Sequence, residues 1–284
     1  MTQHDSPPFP RGLFRFVRLA TAVTAAGAFA LPVLWLVASS LRTQTETFQV
    51  SSPVTWNLLW PINWTTTNYQ NMIDLGFARN VWNSVLVAGI TVIVGLAISA
   101  LAAYPLACIS FPGRNAIFGI IVVTFLIPFE AVAIPLSVQF RQWGLANTVV
   151  GLVLPGLASG LAVFSIRQFF LGIPVELREA AMVDGAGHFR IFRTIYLPLS
   201  RPALIGSGMM LFLSQWQAYL WPILMTSDPQ KDVGPVSIAR NFSNVKVDYG
   251  TTFAQTVLIA AIPAVVMLTL QKFFIQSLTM TGSK

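Results

Sequence analysis

Six apolar stretches, each close to the length that crosses a bilayer, divide the sequence. Charged residues seldom interrupt them, and more polar segments separate them. Because a helix needs roughly 20 residues to cross the hydrocarbon core, the pattern predicts six transmembrane helices. The predicted spans are 19–41, 84–108, 116–138, 147–166, 203–224 and 253–270. We therefore expect an all-α membrane protein.

The composition agrees with this pattern. Hydrophobic residues make up 55% of the chain and charged residues only 10%, whereas globular domains are about a quarter charged. Neither a soluble domain nor a disordered chain has this balance. The net charge of +7 comes mostly from basic residues beside the apolar stretches, which favours a role in membrane topology over nucleic-acid binding. The expected environment is the lipid bilayer.

The basic residues also predict an orientation. With the N-terminus in the cytoplasm, most of the 17 Lys and Arg residues fall on the inner side, as the positive-inside rule requires. This places both termini in the cytoplasm and makes 1–18 a cytoplasmic segment ahead of one six-span domain, 19–284. The longest inner loop then covers about 171–202.

The chain is not expected to catalyse a reaction. Its one cysteine, Cys108, and its two histidines, His4 and His188, are too far apart in the sequence for a metal-ligand motif. The sequence contains neither a phosphate-binding loop of the form G-x-x-x-x-G-K-[ST] nor a nucleophile elbow. We therefore predict no catalytic residue, no metal site and no bound cofactor, and so not an enzyme.

The loop at 171–202 predicts a short helix that begins near Pro174, because proline suits a first helical turn. Glu176 and Glu179 then lie early in the helix, where the helix dipole favours acids. Asp184-Gly185 predicts its end, since glycine adopts the left-handed conformation freely.

A second amphipathic segment follows in the same loop. Phe189, Phe192 and Tyr196 recur at helical spacing, and Leu197-Pro198 is expected to end the segment. In the first helix, Ala180 and Ala181 are small side chains flanked by charge, which suits a knob that enters a groove of another protein. A helix lying on the bilayer surface is an equally consistent interpretation.

These residues resemble the "EAA" loop of ABC importer permeases. The spacing of Glu179-Ala180-Ala181, Gly185, Ile195 and Leu197-Pro198 is that of the family signature. Segments 102–104, 111–114 and 144–148 resemble carbohydrate-uptake permeases of the maltose and glycerol-phosphate type. Two features differ from the family pattern, the segment 216–222 and the tail 282–284.

The resemblance implies the type I importer permease fold in a bacterial inner membrane, with the loop at 171–202 coupling the chain to an ATPase. The expected partners are a second, similar permease, two ATPase subunits that bind ATP and Mg, and an external solute-binding protein. The residues expected to dock the ATPase are Glu179, Ala180, Ala181, Asp184, Gly185 and Phe189.

The expected substrate path combines one carboxylate with a cluster in the fifth span. Glu130 is the charged residue within a predicted span, where a carboxylate is costly and usually functional. Gln215, Trp216, Gln217 and Tyr219 combine the planar polar groups and aromatic faces that suit a sugar. A structural tie for Glu130 and an interfacial role for the cluster stay open. Glu130 also defines the alternative function, a proton- or ion-coupled secondary transporter.

Overall fold

Helices make up the computed structural model, which describes residues 11–51, 56–242 and 247–281. No strand occurs in these ranges. The α-helices in chain order are α1 (Arg11–Ser40), α2 (Gln44–Ser51), α3 (Thr67–Asp74), α4 (Phe77–Cys108), α5 (Arg114–Leu126), α6 (Phe129–Gln142), α7 (Val149–Leu157), α8 (Gly160–Leu171), α9 (Val175–Val183), α10 (His188–Ile191), α11 (Leu197–Leu199), α12 (Arg201–Trp216), α13 (Leu220–Met225), α14 (Gly234–Asn241) and α15 (Tyr249–Thr281). The predicted tail at 282–284 and the start of the predicted segment 1–18 lie outside the described residues.

Three helices are long and apolar enough to cross a membrane, in the regions of the first, second and sixth predicted spans. They cover Arg15–Ser40, Phe77–Cys108 and Tyr249–Gln271. The pairs α5–α6 and α7–α8 pass the same test together but are bent by 93° and 43°. The fifth predicted span is divided between α12 and α13. The structure thus gives three to five spans by length and composition, and the count of six stays a prediction.

The third predicted span is not one straight helix, because proline interrupts it. Helix α5 ends at Leu126, and Ile127 has an extended backbone with ψ of 121°. Proline disfavours the helical conformation of the residue before it, so Pro128 accounts for this extended residue. Helix α6 then starts in a new direction at Phe129 and carries Glu130 in its first turn.

The described residues fall into two compact units, those within 1–75 and 245–257 and those within 76–244 and 258–284. In the first unit, the amide of Asn68 donates to the carbonyls of Ser40 and Arg42 at 2.9 and 2.8 Å. The carboxylate of Glu46 accepts the backbone N–H groups of residues 62 and 63 at 2.7 and 3.1 Å. Buried polar side chains therefore bind the backbone of the segment that follows α1.

The second unit has two buried apolar clusters, one near each end of α4. The first, called here the lower cluster, includes Tyr104, Ile166, Phe170, Ile191, Phe192 and Tyr196. The second, the upper cluster, includes Val87, Phe140, Leu152, Trp221, Met225 and Val236. Val87 and Tyr104 are about 25 Å apart along the helix axis at a rise of 1.5 Å per residue. The lower cluster positions the loop that carries the family motif.

At the upper end, hydrogen bonds fix the segment after α13 to the start of α4. The amides of Asn80 and Asn83 each donate to the backbone carbonyl of Asp232, at 3.0 and 2.9 Å. The buried carboxylate of Asp232 accepts from Arg240 Nε at 2.6 Å and from Thr226 Oγ1 at 2.6 Å. Sequence reasoning did not identify this network, since its partners are far apart in the chain.

Candidate coupling surface and substrate path

The predicted helix and its stop are both present in the loop. Helix α9 follows Pro174, and Gly185 has the left-handed backbone conformation with φ of +79°. The N–H of Gly185 donates to the carbonyl of Met182 at 3.0 Å, and that of Ala186 to Ala181 at 2.9 Å. This pair of bonds is a Schellman motif, which satisfies carbonyls that the end of a helix leaves free.

One side of α9 binds to the rest of the second unit. The guanidinium of Arg178 donates to the carbonyl of Cys108 at the end of α4. Ala181 is half-buried and packs with Ala186 and Ile173 against the lower cluster. Of the predicted docking residues, Ala181 is therefore the one that lies toward the protein rather than on the free surface.

The other side of α9 is exposed in the part of the chain that the structure describes. Glu179, Ala180, Asp184 and Gly185 are exposed, and Val183 is 88% exposed. These residues form a surface that combines small, apolar and acidic groups, and we call it, together with Phe189, the coupling surface.

The second predicted segment of the loop fixes the coupling surface in place. Phe192 and Tyr196 are buried, and their ring centroids lie 5.3 and 5.1 Å from that of Tyr104 on α4. Phe189, in contrast, is 69% exposed. Burial raises the pKa of the Tyr196 phenol, and a hydrogen bond with Cys108 raises it further. The phenol is therefore neutral at physiological pH.

The end of this segment differs from the prediction. Leu197-Pro198 does not end it: a π-helical turn, Phe192–Tyr196, leads into α11, which runs to Leu199. Proline has no N–H to donate to the residue four positions back, so a widened turn just before Pro198 fits the loss of that bond. Sequence reasoning did not identify this turn.

The predicted substrate-path residues of the fifth span do not share one environment. Trp216 ends α12, is 3% exposed, and donates its indole N–H to the carbonyl of Ile259 at 3.1 Å. Gln215 is half-buried, and its Oε1 lies 3.4 Å from Thr91 Oγ1. Gln217 is exposed and Tyr219 is 45% exposed, in the break before α13. The structure thus separates a buried anchor from two accessible side chains.

Glu130 lies on the surface of the second unit. It is exposed, directly after the 93° bend. Within the described residues, the ion pair is that of Arg240 and Asp232, and Glu130 takes no part in one. Its carboxylate is therefore available to a solute or to a partner chain.

Comparison with known proteins identifies the family. Residues 95–280 match the family described as binding-protein-dependent transport system inner membrane component. The chain belongs to this family. The matched region contains the coupling surface, the lower cluster and the whole predicted substrate path. The family is one of transport components rather than enzymes, and its description places it in the inner membrane.

Individual relatives agree with this assignment. The chain is 34% identical over 214 residues to the sn-glycerol-3-phosphate transport system permease protein UgpE of Agrobacterium fabrum, covering 75% of this chain and 76% of the relative. It is 31% identical over 242 residues to the diacetylchitobiose uptake system permease protein NgcG of Streptomyces coelicolor, covering 84% and 78%.

A solved structure confirms the predicted permease fold. A chain from the crystal structure of a bacterial ABC transporter involved in the import of the acidic polysaccharide alginate matches with a TM-score of 0.78. The match covers 95% of this chain and 100% of that chain at 22% identity. These comparisons give no support to the alternative of a secondary transporter built around Glu130.

Proposed function

We propose that this permease forms half of the translocation path for a sugar or sugar-like solute and that its coupling surface binds a separate ATPase. The relatives transport sn-glycerol-3-phosphate and diacetylchitobiose by name, which supports a polyhydroxylated substrate. The observation that supports the coupling role is the placement of α9. One side of this helix is exposed and carries the coupling surface, and the other side is anchored to α4 and α8.

The charge of the coupling surface favours a protein partner over the bilayer. Helices that lie on membranes usually carry Lys and Arg on the polar face, and anionic lipids attract those residues. Glu179 and Asp184 are instead acidic and exposed. An exposed apolar side chain such as Val183, set among charges, is typical of a protein interaction site. Such a surface fits a basic groove of a cytoplasmic subunit.

We extend the proposal to the subunits of the full complex. We expect a second, homologous permease, two ATPase subunits and an external solute-binding protein, with both termini of this chain in the cytoplasm. ATP and Mg would bind to the ATPase subunits and not to this chain. The family description, which names a binding protein, and the distribution of basic residues support this arrangement.

For the solute, we propose that Gln217, Tyr219, Glu130 and Gln215 provide the polar and aromatic groups of the path. Trp216 would act on the solute only indirectly, because its indole is buried and donates its N–H to the carbonyl of Ile259. It would thereby position the break that presents Gln217 and Tyr219.

A charge reversal tests the coupling role. Glu179→Arg should loosen the ATPase and abolish its stimulation, since leaving a buried interfacial charge without its partner commonly costs about 2–5 kcal/mol. Glu176→Arg is the matched control, because Glu176 is an exposed acid of the same helix outside the motif. Co-purification with the ATPase and binding-protein-stimulated ATP hydrolysis are the measurements.

If Glu179→Arg retains wild-type values for both measurements, the coupling surface does not bind the ATPase through this residue. Uptake that requires ATP and survives collapse of the proton gradient would support an importer. Uptake that stops with the gradient while ATP is present would support the secondary-transporter alternative instead.

A further inference from the structure

A cleft of about 330 Å³ opens beneath α9 on the side away from the coupling surface. Its volume lies in the range of roughly 300–1,000 Å³ that is usual for small-molecule sites. The end of α4, the start of α5 and the loop helix α9 all contribute to its walls. The residues used below that line it are Cys108, Ser110, Arg114, Phe170, Arg178 and Tyr196.

The cleft is basic. Arg114 and Arg178 both line it, and none of the described residues that line it is acidic. Arg114 makes a long hydrogen bond of 3.4 Å to the carbonyl of Ile109. The Nε of Arg178 is buried without a hydrogen-bond partner in the described chain. A buried guanidinium N–H without an acceptor is unfavourable, and an anionic group in the cleft would satisfy it.

The position of the cleft at the ends of two apolar helices suits a lipid headgroup. Helix α4 is long and apolar enough to cross a membrane and ends at Cys108, and α5 begins the next apolar stretch at Arg114. The cleft therefore lies at the turn between two apolar helices, where a chain that crosses the bilayer would leave it and enter it again. Gly113, with φ of +84°, makes this turn. Basic pockets between spans on the cytoplasmic side bind the headgroups of anionic lipids.

We infer that this cleft binds the phosphate group of an anionic membrane phospholipid through Arg114 and Arg178. The planar guanidinium presents paired N–H donors that match the oxygens of a phosphate, and the Ser110 hydroxyl adds a further donor. A bound lipid would hold α9 against the end of α4 from below. The inference rests on the proposed function in one respect, namely that this side of the permease is cytoplasmic.

The chain provides its own reporter of occupancy. Cys108 is its one cysteine and lines the cleft. A headgroup in the cleft should slow alkylation of this thiol by N-ethylmaleimide, which is uncharged and is not attracted or repelled by the membrane surface. The mass of this chain in the purified complex measures the alkylation rate. The complex is compared in phosphatidylcholine vesicles with and without phosphatidylglycerol, and in phosphatidylcholine with added inorganic phosphate.

We expect phosphatidylglycerol to slow alkylation in the wild-type complex and inorganic phosphate to leave it unchanged. Arg114→Gln should raise the mole fraction of phosphatidylglycerol that gives half-protection by about fivefold, or about 1 kcal/mol. Arg114→Lys should restore much of the protection. Arg193→Gln is the matched control, because Arg193 is an exposed arginine of the same loop outside the cleft, and it should behave as wild type.

Equal half-protection in Arg114→Gln and wild type would overturn the inference. Protection by inorganic phosphate alone would overturn the lipid as the source of the phosphate group. An alkylation rate in the wild-type complex that phosphatidylglycerol does not change would also overturn the inference. ATP-dependent uptake in the same vesicles tests the proposed function separately, because uptake without lipid protection refutes only the lipid site, and protection without uptake refutes only the importer.

Discussion

The stop of α9 at Gly185 gives the sharpest test of the coupling mechanism. Gly185 has φ of +79°, and a Cβ added there would meet no atom within 4 Å. A side chain at this position therefore acts within the chain only through the backbone. An L-residue other than glycine costs roughly 1–2 kcal/mol in the left-handed conformation. Valine, which is β-branched, is among the least tolerant and asparagine among the most tolerant residues.

Gly185→Val should therefore lower the ratio of molecules with the Schellman stop to molecules without it by a factor of about 5–30. If coupling requires this stop, ATPase stimulation by the solute-binding protein should fall by a similar factor. Co-purification with the ATPase should weaken with it. In both measurements, Gly185→Ala should lie between Gly185→Val and the wild type. Gly185→Asn should stay close to the wild type.

Gly187→Val is the matched control. Gly187 is two residues away and equally open, but its φ of −71° is one that any residue adopts. Wild-type co-purification and stimulation in Gly185→Val would refute the reasoning. If Gly185→Asn fails as severely as Gly185→Val, the partner fills the space beside Gly185, and crowding rather than backbone strain explains the loss.

Three further predictions concern the rest of the second unit. Trp216→Phe should lower thermal stability by about 1 kcal/mol, because it removes the indole bond to Ile259 but keeps an aromatic ring, and a melting curve in detergent measures this. Gln217→Ala and Tyr219→Ala should each lower solute uptake and leave the amount of assembled complex unchanged, whereas normal uptake in both would remove them from the path. Asp232→Asn should destabilise the complex by about 1–3 kcal/mol, because the buried carboxylate holds both an arginine and a threonine hydroxyl; an unchanged melting temperature would contradict this.

Local signals allowed the first helix of the loop to be predicted well. Pro174 and Asp184-Gly185 determine where α9 begins and ends through backbone preferences of single residues, and the structure has both ends as expected. The long helix α4 could also be predicted, because no charged residue interrupts the apolar stretch at 84–108. The family motif then suggested the coupling role that we propose for the region, which composition alone would not have suggested.

The structural features that could not be predicted from the sequence depend on tertiary packing. The burial of Trp216 depends on the neighbouring α15, so its side could not be assigned from spacing within the fifth span. The same holds for Asp232, whose partners Asn80 and Asn83 precede it by about 150 positions in the sequence.

Helix α4 has a mechanical consequence for the transport cycle. It is 32 residues long without a break, so it is about 48 Å from end to end. One end holds α9 through Arg178 and Cys108, and the other holds the segment at Asp232 through two asparagines. Because the helix is stiff, a tilt of about 5° at the coupling end would move the far end by about 4 Å. Under the proposed function, a movement imposed on α9 by an ATPase would thus reach the far end of α4 through one continuous helix.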